Sequence, residues 1–325
     1  MDVDDHVANR YRQESENWSK YTTDSEHKRT AESWFLADTV DEWRHRRMYA
    51  CLDPLLQAYP DSEWLTVGDG RFGKDAHYIL EKGHKVLASD ISDTLLKIGA
   101  EKGYIREFKV ANAEELCFDS GSFDFVLCKE SYHHFPRPML ALYEMLRVAR
   151  QGIVLIEPCE APVLCEPNFV MKRLIKRMLL RYGLASILRT QDMRVIRDYG
   201  NAWEDVGNYV YTISEREIEK VALGLRYPAC AFKGLNDYYE KGVEFEKATD
   251  DSLLFRKAKE HIARLDQLSR TGFDRNPYQM LVAMIFKQPL ESSASQVLKE
   301  GGFAVRLLPE NSYVNQRKDE NQSQA

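Results

Sequence analysis

Leu65-Thr66-Val67-Gly68-Asp69-Gly70-Arg71-Phe72-Gly73 reads as an apolar strand running into a glycine turn, and about 20 residues later Val86-Leu87-Ala88-Ser89-Asp90 ends a second strand in a carboxylate. Gly68 and Gly70 let the backbone approach a ligand and adopt dihedrals closed to most side chains. Lys74 to Leu80 reads as the crossover helix, whose first amides have no partner within the helix. Asp90 falls at the end of the second strand, where its carboxylate can accept both hydroxyls of a ribose. The glycines alone would also suit an ordinary tight turn. With Asp90 at that spacing, the stretch reads as a nucleoside-binding half-site, and the nucleoside itself is left open.

Working outward, residues 64 to 157 alternate strand and helix in the manner of an open parallel sheet. The expected strands are Trp64 to Val67, Lys85 to Ser89, Glu107 to Ala111, Phe123 to Cys128 and Gly152 to Glu157. Asp93 to Lys102 and Pro138 to Ala149 supply helices, the second amphipathic through Leu140, Leu142, Met145, Leu146 and Val148. After a break of about 50 residues the pattern resumes. Ser214-Glu215-Arg216-Glu217 is a capping box opening a helix from Ile218 to Leu225. Tyr227 to Phe232 and Tyr278 to Lys287 read as sixth and seventh strands, and Val297 to Leu308 as one more helix and strand. The expected fold is α/β: a doubly wound, mostly parallel, seven-stranded sheet with a helical N-terminal segment and helical insertions.

The chain has 325 residues, 44% hydrophobic and 30% charged, with a net charge of −6, which argues against a protein built mainly to coat nucleic acid. Its six cysteines form no C-x-x-C pair, so neither a zinc knuckle nor a disulfide framework is signalled. The opening Met1-Asp2-Val3-Asp4-Asp5 is acidic where a secretory signal would be basic and then apolar. The longest clear apolar run, Met280 to Phe286, falls far short of the roughly 20 residues of a membrane span. A cytoplasmic location is expected.

The expected organisation is an N-terminal helical cap over 1–60 and a main domain over 61–290 with lid insertions at about 159–213 and 236–276. A helix-strand unit over 291–313 and a disordered tail over 314–325 follow. Asp41 to Leu56 reads as one helix leading into the first strand, ended by Pro60. The 236–276 insertion is expected to be charged and helical.

The linked motifs resemble the class I S-adenosylmethionine-dependent methyltransferases, in the small-molecule, type 11-like branch. Val67-Gly68-Asp69-Gly70 matches the glycine-rich turn and Asp90 the ribose-binding acid. Asn112-Ala113-Glu114-Glu115-Leu116-Cys117-Phe118 matches the segment holding adenine, Ser122-Phe123-Asp124-Phe125-Val126 the fourth strand, and His133-His134-Phe135 the loop after it. The resemblance implies S-adenosyl-L-methionine as cofactor. Gly68, Asp69 and Gly70 would line its methionine and ribose, Asp90 take the ribose hydroxyls, Ile91 pack on adenine, Asn112 and Ala113 border the adenine edge, and Lys129 lie near the methionine moiety. Three positions depart from the pattern. Thr66 stands where the first strand usually carries an acid, a role Asp69 could take over. Phe72 occupies the third small position of the turn, and Asn112 replaces a more frequent Asp.

A sulfonium carries an activated methyl, so the protein's work is alignment and exclusion of water, plus a base where the acceptor is a hydroxyl. His133 and His134 are the candidate bases, with Glu130 as a further candidate and Tyr132 and Glu157 as other polar groups at strand ends. The histidines equally suit packing beneath the cofactor. Adjacent histidines seldom aim at one ion, so no metal is expected. The acceptor is expected to be a small molecule, with sugar-bearing and phosphate-bearing chemistry both open. The basic stretch from Met171 to Arg181 suits a solvated lid face, a phosphate-bearing substrate, or peripheral contact with an anionic membrane. The aromatic group Tyr199, Trp203, Tyr209 and Tyr211 suits a lid core or a stacking surface. O-methylation of a small molecule or glycan precursor is the leading expectation. Transfer to nitrogen or carbon, and a silent cofactor-binding scaffold, are the alternatives; a nicotinamide oxidoreductase and a nucleic-acid modifier fit less of the pattern. Oligomeric state is not encoded legibly.

Overall fold

The computed structural model describes residues 3–160, 164–165, 195–196, 209–271 and 278–310. Four helices, α1 (Val3–Thr23), α2 (Ser25–Ser33), α3 (Val40–Tyr49) and α4 (Asp53–Ala58), precede the first strand. The alternating part follows as β1 (Glu63–Val67), α5 (Lys74–Glu81), β2 (Lys85–Asp90), α6 (Thr94–Glu101), β3 (Phe108–Val110), β4 (Phe123–Lys129), a 3₁₀ turn (Tyr132–His134), α7 (Pro138–Val148) and β5 (Ala149–Pro158). Beyond it lie the short pair β6 (Leu164–Cys165) and β7 (Val195–Ile196), then α8 (Glu215–Gly224), β8 (Ala229–Leu235), α9 (Leu253–Thr271), β9 (Met280–Phe286), α10 (Ser292–Glu300) and β10 (Ala304–Leu307).

The main sheet has eight strands in the order β10-β8-β9-β5-β4-β1-β2-β3. The pairs β3–β2, β2–β1, β1–β4 and β4–β5 are parallel, whereas β5–β9, β9–β8 and β8–β10 are antiparallel. The expected seven-stranded sheet is therefore one strand short. The helix-strand unit read at the C-terminal end is there, and β10 joins the sheet by pairing Ala304 with Phe232 through Leu307 with Ala229. Pairing across some 70 residues leaves no local mark in a four-residue strand.

Alternation along the central strands divides the core into two layers. Leu65, Val67, Val126, Cys128, Ile153 and Leu155 face α7, through Ala141, Leu142, Met145 and Leu146. Trp64, Phe125, Leu127, Val154 and Ile156 face the opposite side, against Met48, Leu52, Leu55 and Ile79. Strands covered on both faces read as continuous apolar runs, which is why they were legible.

Two expected helices are divided or shortened. The helix read over Asp41 to Leu56 is two, because Pro54 lacks the N–H that an interior position needs; it stands in the first turn of α4 instead. Among the described residues of the 236–276 insertion Leu253–Thr271 is the helix, and residues 236–252 form turns and irregular chain. Ser214 caps α8 by accepting from the Glu217 amide, as its capping box predicts. The basic stretch Met171 to Arg181, Tyr199, Trp203 and the 314–325 tail lie outside the described residues. Among the described residues no helix is long and apolar enough to cross a membrane.

Candidate active site

The strand order reverses between β1 and β4, and an open parallel sheet forms its ligand crevice at such a point, beyond the strands' carboxyl ends. There a cavity of about 590 Å³ is lined by Gly68, Asp69 and Gly70 after β1, Asp90 and Ile91 at the end of β2, and Lys129, Glu130, His133 and His134 after β4. Ala113 also lines it. Asn112 does not reach the wall as described; its side-chain oxygen accepts the Glu114 amide at 2.9 Å and shapes the loop.

The turn after β1 departs from a simple glycine loop, in ways its irregular residues explain. Gly68 has φ +77°, and a Cβ there would stand 2.4 Å from that of Ser131, whose hydroxyl donates to the Gly68 carbonyl at 2.6 Å. Asp69 turns inward. It accepts from the Thr66 hydroxyl at 2.8 Å and from the Asp75 and Ala76 amides at 3.1 and 2.9 Å, joining the turn to the first turn of α5. Burial, reinforced by the neighbouring Asp75, pushes its carboxyl well above the usual range. Thr66 is thus the hydrogen-bond partner of Asp69 rather than a gap in the pattern. Phe72 and Gly73 both lie in the left-handed region, at φ 60° and 76°, and open the chain into α5. The Phe72 ring leaves the turn and packs on Phe35 with centroids 4.3 Å apart.

Asp90 accepts the Ser92 amide at 2.9 Å, and burial pushes its carboxyl up to about 7. A carboxyl held there gains most from hydroxyl donors that stabilise its charge. Gly70 faces it closely: a Cβ on Gly70 would lie 3.1 Å from an Asp90 oxygen.

After β4, the buried Lys129 ammonium donates to Glu130 at 2.6 Å and approaches His45 Nδ1 at 2.9 Å. Burial opposes the Glu130 charge, yet Lys129 and His45 hold its carboxyl well below the usual range. Glu130 has φ 50°, a strained backbone for a non-glycine residue of the kind found at functional positions. His133 Nδ1 lies 2.6 Å from Glu157 Oε2. Glu157, fully buried at the end of β5, also accepts the Ser131 and Tyr132 amides at 2.9 and 3.0 Å. His134 packs beside His133 with ring centroids 4.0 Å apart.

Two groups of wall residues escaped the sequence reading. Helix α3 contributes Asp41, Arg44 and His45, tied together by an Asp41–Arg44 pair at 3.0 Å and a bidentate Arg44–Asp237 pair. Their i, i+3, i+4 spacing marks one helix face, and that was the available signal. Helix α1 contributes a second stripe, beginning with Arg10 and Tyr11.

Fold and cavity together define a Rossmann-like nucleoside-binding protein. The methyltransferase domain model matches residues 65–156, which contain the turn, Asp90, the adenine segment and the histidine loop. Residues 65–156 are thus a methyltransferase domain of the type 11 kind, a domain whose cofactor is S-adenosyl-L-methionine. Among similar solved structures, the YcgJ protein of Bacillus subtilis is 17% identical, with 75% of this chain and 99% of that one covered and a TM-score of 0.45. A SAM-dependent methyltransferase of Methanosarcina mazei is 19% identical (72% and 97% covered, TM-score 0.41). Phosphoethanolamine N-methyltransferase 2 of Haemonchus contortus, solved with S-adenosyl-L-methionine, is 15% identical (74% and 52% covered, TM-score 0.44). No curated protein matches the chain.

Proposed function

We propose that the enzyme methylates a hydroxyl oxygen of a small polar acceptor, a sugar or glycan precursor, with His133 as general base. The observation that carries this reading is the 2.6 Å contact between His133 Nδ1 and a buried Glu157 that two backbone amides already fix. A proton kept on Nδ1 by that carboxylate puts the basic lone pair on Nε2 and stabilises the imidazolium formed when the hydroxyl proton is taken. Glu130 then serves the acceptor wall, not the proton, because its charge is tied to Lys129 and His45.

When bound, the cofactor supplies a methyl on a positively charged sulfur. Gly68, Gly70, Asp90, Ile91 and Ala113 would hold its nucleoside part, Asp90 by accepting the ribose hydroxyls; Asn112 would act through the loop it shapes. Asp69 would hold the turn in place, and Lys129 would lie towards the methionine end. With that group bound, His133 would take the proton of the acceptor hydroxyl as its oxygen receives the methyl, leaving S-adenosylhomocysteine. The lining also carries carboxylates (Asp41, Glu130), cations (Arg44, Lys129) and Tyr239. Donors and acceptors in such alternation suit a polyhydroxylated ligand better than a simple anion.

His133→Gln and Glu157→Gln test this with S-adenosylhomocysteine release measured over a panel of sugars and glycan precursors. Both variants should lose roughly 10²- to 10⁴-fold in kcat and the acidic limb of the pH profile, where protonation of the base cuts activity, with S-adenosylhomocysteine affinity held. Wild-type-like turnover or an unchanged pH profile in His133→Gln would overturn the assignment.

A further inference from the structure

Of the tyrosine, tryptophan and phenylalanine side chains that line the cavity, Tyr11, Trp18, Tyr21, Trp34 and Phe135 are buried or half-buried. Tyr239 is open, at 61% exposure, and its ring is nevertheless held. The hydroxyl donates to Glu244 Oε1 at 2.9 Å, and the buried Glu244 accepts the Gly242 amide through its other oxygen at 3.1 Å. The Arg44 guanidinium lies over the ring, 5.3 Å from its centroid, and is itself fixed by Asp41 and Asp237. The surrounding segment is clamped to the start of α3: the Val40 and Asp41 amides donate to the Glu246 and Val243 carbonyls at 2.8 and 3.0 Å. A ring fixed before a ligand arrives can be stacked upon at little further entropic cost.

Position and charge indicate what stacks there. Tyr239 follows β8, three strands beyond β4 in the sheet, whereas Gly70, Asp90, Ile91 and Ala113 belong to the β1–β3 side. Contacts run from Tyr239 through Arg44, Asp41 and His45 to Glu130, the residue after β4. The ring thus belongs to the acceptor half of the cavity. Its charged neighbours are matched among themselves, Arg44 with Asp41 and Asp237, and Lys129 with Glu130. An anionic acceptor would compete with those carboxylates, and a flat hydrocarbon would strip water from the ion pairs without replacing it. A pyranose offers an apolar C–H face to the tyrosine and, at its rim, hydroxyls that both donate and accept.

We propose that the Tyr239 ring is the platform on which a pyranose of the acceptor stacks, with Arg44 and Asp41 taking its hydroxyls. The β8–β9 connection, outside the matched residues 65–156, then sets acceptor specificity. The platform rests on the sugar reading above but not on His133.

Methyl glycosides of glucose, galactose and mannose are titrated into the S-adenosylhomocysteine-loaded enzyme and read by saturation-transfer NMR, which needs no turnover. Wild type should transfer magnetisation to the C–H protons of at least one of them. Tyr239→Ala should weaken that glycoside about five- to tenfold and Tyr239→Phe by no more than about twofold, with S-adenosylhomocysteine affinity and melting temperature held in both. Absence of transfer to all three in wild type overturns the platform, as does unchanged affinity in Tyr239→Ala. A loss in Tyr239→Phe as large as in Tyr239→Ala would put the contact on the hydroxyl and also overturn it. So would a parallel fall in S-adenosylhomocysteine affinity or melting temperature in Tyr239→Ala, which gives the ring a structural role. Glycoside binding that depends on Tyr239, with no sugar methylated by wild type, would uphold the platform and strike the proposed O-methylation instead.

Discussion

Lowering the pH from about 8 to about 6 should weaken S-adenosylhomocysteine binding roughly tenfold, through one carboxyl. Burial pushes Asp90 up to about 7, with the nearby Glu14 raising it and the Ser92 and Ile91 amides and His134 lowering it. A ribose whose two hydroxyls donate to Asp90 selects the ionised form. The unliganded carboxyl is about nine-tenths ionised at pH 8 and about one-tenth at pH 6, so the ratio of affinities approaches ten, or about 1.4 kcal/mol. The sign for stability is opposite. A folded-state value above the ordinary 3.8 makes the carboxyl neutral to the unliganded fold in strong acid and increasingly costly as pH rises to about 7. Asp90→Asn should therefore raise the unliganded melting temperature at pH 8, by removing up to about 4 kcal/mol, while binding the ligand weakly and almost independently of pH. Calorimetric titration at the two pH values, with thermal unfolding of both proteins, reads all of this. A flat wild-type profile, or a tenfold ratio retained in Asp90→Asn, would refute the reasoning.

Two further perturbations probe the scaffold under the site. A Cβ on Gly99 would lie 2.2 Å from the Phe72 carbonyl oxygen, so Gly99→Ala should destabilise by about 1–3 kcal/mol in urea unfolding despite the better helix former, and should weaken S-adenosylhomocysteine binding as the turn shifts. Asp237→Ala leaves the buried Arg44 with Asp41 as its remaining close ion-pair partner among the described residues and should cost about 3 kcal/mol by the same measurement; a change under about 0.5 kcal/mol would show that the pair does not hold α3 in place.

Glycine spacing, Asp90 and the histidine loop were legible because each is a local pattern on a strand end, and the ends of neighbouring parallel strands converge of themselves. The doubly buried strands announced themselves as apolar runs, and the capping box at Ser214 located its helix. Glu157 was visible as a polar strand end, but its pairing with His133 was not, since 24 residues and a helix separate them. The chain alone determined the parallel strands of the sheet, the glycine turn and the class of cofactor, because periodicity and turn chemistry act within a few residues. Tertiary structure alone decided that Thr66 and Phe72 are parts of a working turn, that α1 lines the cavity, and that Asp41, Arg44 and Asp237 meet beside it. Those contacts join segments as much as 193 residues apart, from Arg44 to Asp237, and only packing, not spacing, selects which charges and rings come together.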